Sequence, residues 1–481
     1  MKRHLLACSV SLVGAFGLTA CSVGPDFGKP QSDLGAQWSA PAANEAVRSR
    51  TVSTAMEARW WDSFADPVLS SLIQRAASGN LDLRVAASRL EQSRAARRSI
   101  AAERLPSVNA GAGYSRTRNS QDGLSDPSGR AGKEAYSLWQ GGFDTGWELD
   151  LWGRVRREVE AADALVQGAE EQRHGVLLAV LAETASDYIQ LRGAQSELAI
   201  TRQNLDIARR TLELNRTRLG DGVATQLEVA EAAAQVAAIE ARVPPLQQRE
   251  AQLINALSLL LARPPQALHA ELSAVAAIPA GPRHVPVGLP SELAERRPDI
   301  RRAEAELHAA TASIGVAQGD FYPRITLSGN VGFQALQLAD FGSWSSRTFA
   351  FGPAFSVPLF DGGRLRGTLQ LREAQQQEAA ITYQKTVLGA WHEVDNALSA
   401  YQAEQRRHAS LEQAVSHSRL ALHSAEEQYA QGTVDFLNVL SVQNALLANQ
   451  AALVESTAGV SLALVDLYKS LGGGWQAAPA G

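Results

Sequence analysis

The chain has 481 residues, with 45 lysines and arginines against 50 aspartates and glutamates and a formal net charge of −5. So even a balance gives no field for nucleic acid, and partners must be recognised by shape. Its two cysteines, Cys8 and Cys21, both lie near the amino terminus, which excludes a disulfide framework for the body of the protein.

Met1-Lys2-Arg3-His4 is a basic start, Leu5 to Leu18 is apolar but too short to span a bilayer, and small residues lead to Cys21. This predicts a secretory signal over 1–20. Its end, Leu18-Thr19-Ala20-Cys21, resembles a bacterial lipobox, which implies a lipid on Cys21 as the first mature residue. In that scheme Ser22, where an aspartate would retain the protein inside, favours outer-membrane sorting. An ordinary signal peptide with a stray cysteine is the alternative. Residues 21–60, rich in Ser, Ala, Pro and Gly, read as an extended lipidated tether, with ordered structure beginning near Trp60-Trp61. After Cys21 no apolar run reaches the roughly twenty residues of a membrane helix, so any crossing is by strands.

From about Leu69 to Arg104 the pattern is helical, with Leu72, Ala76, Leu83, Ala87 and Leu90 on one side, and Pro106 ends it. Segments of period two follow. In 107–115, Val108, Ala110, Ala112 and Tyr114 alternate with Ser107, Asn109, Gly111, Gly113 and Ser115; in 138–149, Trp139, Phe143, Trp147 and Leu149 share one phase. The pair returns at 325–333 and 348–359. Strands of about ten residues, apolar on one face and small or polar on the other, are the signature of outer-membrane barrel hairpins, although a soluble sandwich hairpin has the same local pattern. The barrel reading puts Ile325, Leu327, Phe349, Phe351, Phe355 and Val357 toward lipid, and Thr326, Ser328 and Asn330 toward the lumen.

From Arg154 to about Leu219 there is neither proline nor a strong turn signal, which predicts one helix of roughly 65 residues, about 95 Å long. Arg364 to Ala430 repeats it. Gly222 and Gly432 supply hairpin turns, and return helices follow over 225–262, kinked at Pro244-Pro245, and 435–471, uninterrupted. The chain is thus written twice. GVATQLEV (222–229) recurs 210 residues later as GTVDFLNV (432–439), and at the same spacing Leu149, Gly153, Arg154 and Arg156 find Leu359, Gly363, Arg364 and Arg366. At a spacing of 217, Leu83, Arg84, Ala86, Leu90 and Pro106 find Ile300, Arg301, Ala303, Leu307 and Pro323. The first structural repeat is therefore 61–263 with its helical hairpin at 154–262, the linker 264–290, the second repeat 291–472 with its hairpin at 364–471, and the tail 473–481. A helical hairpin of this length cannot bury its apolar face alone, and four strands cannot close a barrel. Both deficits ask for copies of the chain around an axis.

Cys21 followed by Val23-Gly24-Pro25-Asp26-Phe27 and Pro30, then Trp60-Trp61, Arg297-Pro298-Asp299-Ile300, Phe321-Tyr322-Pro323 and Leu471-Gly472-Gly473-Gly474-Trp475, resemble the TolC-like outer membrane factors. The match is nearest to the lipoprotein branch that serves resistance-nodulation-division efflux pumps. The resemblance implies a mixed α and membrane-β fold. Three chains would build a twelve-stranded outer-membrane β-barrel, four strands each, continued by a long α-helical barrel in the periplasm. It also implies a function: a homotrimeric exit duct, embedded in outer-membrane lipid, for drugs or metal ions delivered by an inner-membrane transporter through a periplasmic adaptor protein. An outer-membrane component of a type I protein secretion system is the rival within transport, and a trimeric adhesin or structural stalk the rival of another class.

In that family the periplasmic closure lies at the hairpin tips, here 220–231 and 431–443. The resemblance places Leu437 at a leucine position near the axis, while Asn438 and Ser441 stand where aspartate is frequent. Asp435, or Glu228 and Glu231 of the first copy, could supply the charge instead; Asp435 is also an N-cap by position. The Arg154-Arg156-Arg157 cluster and its copy Arg364-Arg366 sit where a helix start disfavours cations, either against lipid phosphates or as a solvated helix start. No nucleophile motif, phosphate loop or dinucleotide fingerprint occurs, and the nine histidines form no metal-binding pair with a glutamate, so neither an enzyme nor a metal or other cofactor beyond the Cys21 lipid is expected.

Overall fold

The computed structural model describes residues 22–30, 38, 49–54, 56–122 and 134–477. The signal segment, Cys21 and most of the tether lie outside the described residues. In chain order the elements are strand β1 (Arg50–Val52), helices α1 (Pro67–Gly79) and α2 (Leu81–Ala101), strands β2 (Ser107–Thr117) and β3 (Tyr136–Glu148), and helix α3 (Arg154–Gly220). Then come α4 (Gln226–Glu240), α5 (Val243–Leu260), β4 (His284–Pro286), α6 (Pro298–Gly319), β5 (Arg324–Ala335), β6 (Arg347–Ser356), α7 (Arg364–Ala430) and α8 (Phe436–Ser470), with single helical turns between some of them.

The chain forms two compact units that cut across the two sequence repeats. One takes the segments up to Pro30, Leu90–Ala169 and Ala303–Tyr383; the other takes Gln31–Arg89, Glu170–Arg302 and Gln384–Gly481. The repeats are therefore units of sequence but not of packing, because each long helix runs through both compact units.

The first unit holds a four-stranded antiparallel sheet in the order β2-β3-β5-β6. Its register puts like with like. Ala110 lies opposite Phe143, Phe143 opposite Val331 and Val331 opposite Phe349, so the apolar phases of all four strands share one face. The other face carries a polar row through Asn109, Asp144 and Asn330, and the Asn109 amide donates to Asp144 Oδ2 at 3.0 Å. Aromatic residues mark both ends of the apolar face. Tyr114 packs on Trp139 at 4.3 Å near the hairpin connections. Toward the helices, Trp147 donates to the Arg104 carbonyl and Trp152 stacks on Tyr322 at 5.0 Å. The last strand stops at Ser356, so Val357 and Leu359, read as strand residues in the sequence, fall in the connection. Pro358 has no N–H for a ladder. Among the described residues β2 and β6 have no partner on their outer edges.

In the second unit Trp60 is fully buried and stacks on Tyr468 at 5.2 Å, while its indole donates to the Gly473 carbonyl. Trp475 is stacked on His174 with the Arg301 guanidinium 5.2 Å from its ring, and Arg297 binds Asp299, Glu393 and the Ser470 carbonyl. These contacts explain why the sequence spells Arg-Pro-Asp in one place and Gly-Gly-Gly-Trp in another: they meet.

Several expectations are corrected here. The pattern from Leu69 to Arg104 is broken at Asn80, whose side chain accepts from the Asp82 and Leu83 amides to cap α2 and donates to the Leu260 carbonyl. The return helix of the first copy stops at Glu240, and Pro244-Pro245 belong to the first turn of α5, where a missing N–H costs nothing. Segments read as tether and linker pair in parallel as β1 and β4, a three-residue ladder too short to show alternation. Finally, α8 is long and apolar enough by composition to cross a membrane. Part of it is packed within the chain, with Gln443, Ser456 and Ser461 buried among its apolar residues.

Candidate functional site

Each helical hairpin reverses through the same device. Gly222 and Gly432 adopt φ of 74° and 73°, and the amides of Gly222 and Val223 return to the carbonyls of Leu219 and Arg218 as those of Gly432 and Thr433 return to Tyr429 and Gln428. A side chain at either glycine would be strained, which is why glycine recurs there. Three residues later each return helix is capped. Thr225 and Glu228 form a reciprocal capping box, and Asp435 accepts from the Asn438 amide at 3.0 Å. Asp435 is therefore the N-cap of α8.

Beneath the turns, Leu212, Ala232, Ala425, Phe436 and Val439 form a closed apolar cluster. Tyr429 ties the two hairpins together. Its ring packs on Phe436, the Arg218 guanidinium lies 4.7 Å from it, and its hydroxyl donates to Glu228 Oε1 at 3.2 Å. The Thr225 amide first, then the Thr225 and Tyr429 hydroxyls and Arg218, hold the Glu228 carboxyl below the ordinary glutamate range.

Phe436 and Val439 face the cluster, whereas Leu437 is 53% exposed and Asn438 and Ser441 are exposed with it; Glu231 is half-buried on α4. Asp435 and Asn438 are brought together by the cap, and Glu228 meets Tyr429 of the other copy. Two features were missed in the sequence. Leu227, the repeat counterpart of Leu437, is 62% exposed, and the 210-residue spacing would have found it. Tyr429 had no counterpart to point to it, since Leu219 stands there in the first copy.

Deeper in α3, Asp187 has its pKa pushed up to about 6 by burial and then by Glu183 one turn away. Asn215 is fully buried with neither side-chain polar atom bonded.

In the first copy the arginine cluster is held by neighbouring carboxylates, whereas Arg364 and Arg366 of the second copy are exposed, as a solvated helix start would be. Arg154 binds Glu148 and Glu158, Arg156 binds Asp150, and Arg157, 4% exposed, binds Glu160, Asp26 and the carbonyls of Val23 and Gly24. Local carboxylates outweigh the unfavourable helix start. The same contacts fix the segment just after Cys21, whose own position lies outside the described residues. Val23 also donates to the Trp152 carbonyl, and a side chain at Gly24 would collide with Gly315. Among the described residues no cluster of His, Cys, Asp or Glu could hold a metal ion.

Comparison with known proteins agrees with this architecture. The chain is 34% identical to outer membrane protein OprJ of Pseudomonas aeruginosa over 99% of its length and 97% of that protein's. It is 33% identical to the solvent efflux pump outer membrane protein SrpC of Pseudomonas putida, covering 97% and 98%. The solved outer-membrane channel OprN superposes with a TM-score of 0.87 at 36% identity, over 95% of this chain and all of that one. The family model for outer membrane efflux proteins matches residues 72–263 and 289–473, one span for each copy of the duplication, and the chain belongs to that family.

Proposed function

We propose that this outer-membrane efflux protein is the exit duct of a tripartite pump, working as a homotrimer whose three sheets close one twelve-stranded barrel. The observation that carries this reading is the sheet itself: one continuous apolar face, one polar face, and two unpaired edges. In lipid every unpaired backbone group costs several kcal/mol, so the edges must meet those of further copies. Twelve long helices would then form the periplasmic tunnel. A periplasmic adaptor and an inner-membrane resistance-nodulation-division transporter would load it, and a lipid on Cys21 would add to the barrel's anchorage, since Val23 to Asp26 are already tied to the start of α3 just below the sheet. The duct's cargo is small molecules such as drugs or metal ions delivered by that transporter, and transport is passive conduction with no catalytic step.

The tips are the closed end. Leu437, and its repeat counterpart Leu227, stand clear of the cluster that Phe436 and Val439 fill, free to meet their symmetry mates as an apolar constriction that stops ions by dewetting. Asp435, Glu228 and Glu231 set the charge around it. Single-channel conductance in planar bilayers tests this directly. The wild-type trimer should conduct weakly and an assembled Leu437→Gly trimer strongly. Unchanged conductance would remove Leu437 as the gate, and a folded monomer by light scattering would remove the duct.

A further inference from the structure

The two hairpin connections of the sheet differ in kind. The first begins Arg118-Asn119-Ser120-Gln121-Asp122 and is polar. The second, between β5 and β6, holds Leu336, Leu338, Phe341 and Trp344 exposed, Trp344 at 79%. Nothing about it is loose. Phe341, Ser343 and Ser346 donate backbone bonds to Leu338, Asp340 and Ser343, Gly342 takes a φ of 88°, and Arg347 donates to the Trp344 carbonyl while its guanidinium sits 4.1 Å from the Trp344 ring. A segment ordered by its own hydrogen bonds that still displays four large apolar side chains is suited to apolar surroundings, not to water.

The side on which it displays them is also fixed. Phe341 packs edge-on against Phe333 at 6.1 Å, and a side chain at Gly141 would come within 3.1 Å of the Phe341 ring. Both positions belong to the apolar phase of the sheet, so the connection folds over the face that carries Trp139, Phe143 and Val331. It lies at the end of the sheet opposite the residues that lead into α2, α3, α6 and α7. Given the barrel reading above, on which this inference rests, that end meets the outer leaflet. We propose that the β5–β6 connection is a membrane-surface anchor, inserting Leu336, Leu338 and Trp344 among outer-leaflet lipids with Arg347 at headgroup depth. Trp and Arg together suit that boundary, one amphipathic and one cationic beside anionic headgroups.

The test is depth measurement by nitroxide labels on the full mature chain carrying Cys21→Ser, reconstituted in phosphatidylethanolamine and phosphatidylglycerol vesicles. Single cysteines would be placed as Trp344→Cys, Leu338→Cys, Asp122→Cys in the polar connection, and Leu327→Cys in mid-strand. Labels at 344 and 338 should collide with dissolved oxygen several-fold more than with a water-soluble nickel chelate, and the label at 122 the reverse. Equal nickel access at 344, 338 and 122 would overturn the anchor. So would labels at 344 and 338 shielded from both reagents, since a neighbouring chain would then cover the connection. A label at 327 that fails to see oxygen would instead overturn the barrel reading itself.

Discussion

The long helices α3 and α7 are the same length, 67 residues, and begin with the same Arg-x-Arg, yet the opening turns are wrapped in one and bare in the other. Over its opening turns α3 buries Val159, Ala161, Ala162 and Ala164, with Ala161 and Ala164 meeting Ala309 and Ala312 of α6. Over the matching turns of α7, from Arg366 to Thr382, no residue is buried, and Leu371 and Ile381 stand more than half exposed. A duplicated unit has thus divided its labour: the first copy is finished by contacts within the chain, and the second leaves an apolar face open that another copy of the chain can cover. The capping aspartates record the same drift. Asp150 accepts from the Val155 and Arg156 amides, whereas Asp361, one residue nearer its helix, accepts from Gly363 and Leu365.

The largest expected break in this contrast is at the paired arginines. Arg154→Gln would leave Glu148, Glu158 and Glu103 facing one another around a half-buried site and should cost about 2–3 kcal/mol, whereas Arg364→Gln, at an exposed counterpart, should stay within about 0.5 kcal/mol. The Arg154→Gln deficit should shrink as pH falls. Burial first, then Glu103, already raises the Glu158 pKa, so protonation relieves the cluster. Thermal unfolding in detergent across pH gives both numbers, and equal losses for the two variants would show that α7 is wrapped as well.

A smaller effect should follow from giving α3 the residue that α7 has at the position of Asp187, which is Ala397. A folded pKa near 6 against about 3.9 in the unfolded chain means the ionised carboxylate opposes folding. The penalty is absent below the unfolded value, grows between the two and is complete above the folded one. Asp187→Ala should therefore stabilise by about 1 kcal/mol above pH 6, after discounting for partial exposure, and by nothing near pH 4. A pH-independent gain would assign the effect to packing.

The smallest change is Asn215→Ala, which installs the residue found at Ala425. It removes a buried amide with no partner and leaves a small gap, so a net gain of about 0.5 kcal/mol is expected in the same melts. A loss would mean that an ordered water satisfies the amide.

Much of this architecture was legible in the sequence because its signals are long. A 67-residue helix shows as a long run with neither proline nor turn signal, and the alternation in β5 and β6 names its own faces. The tip turns were legible because glycine is the one residue whose backbone freedom a left-handed turn requires. What escaped is what single residues decide at a distance. Asn80 reads as an ordinary helix residue until Leu260 is beside it, β1 and β4 are too short to show a period, and Tyr429 gains its meaning only from Glu228 and Arg218 of the other hairpin. The arginine cluster was legible only in part: Glu148, Asp150, Glu158 and Glu160 lie within six residues of it, but the Arg157 partners Val23, Gly24 and Asp26 are far away in sequence. Within the tip, the cap at Asp435 was read from position, while the outward setting of Leu227 follows only from the duplication.

The aromatic pairs at the two ends of the sheet also act as a ruler. From Trp139 to Trp147 along β3 is roughly 27 Å at about 3.4 Å per residue, and a strand tilt of about 35–45° reduces that to roughly 20 Å of height. An average bilayer core is about 30 Å thick, and the bacterial outer membrane is thinner. On the proposed barrel the protein is gauged to a thin membrane: in a thicker one it would compress the lipids around the barrel's whole circumference, an elastic cost that grows with every ångström of mismatch and sorts the channel to the membrane it fits.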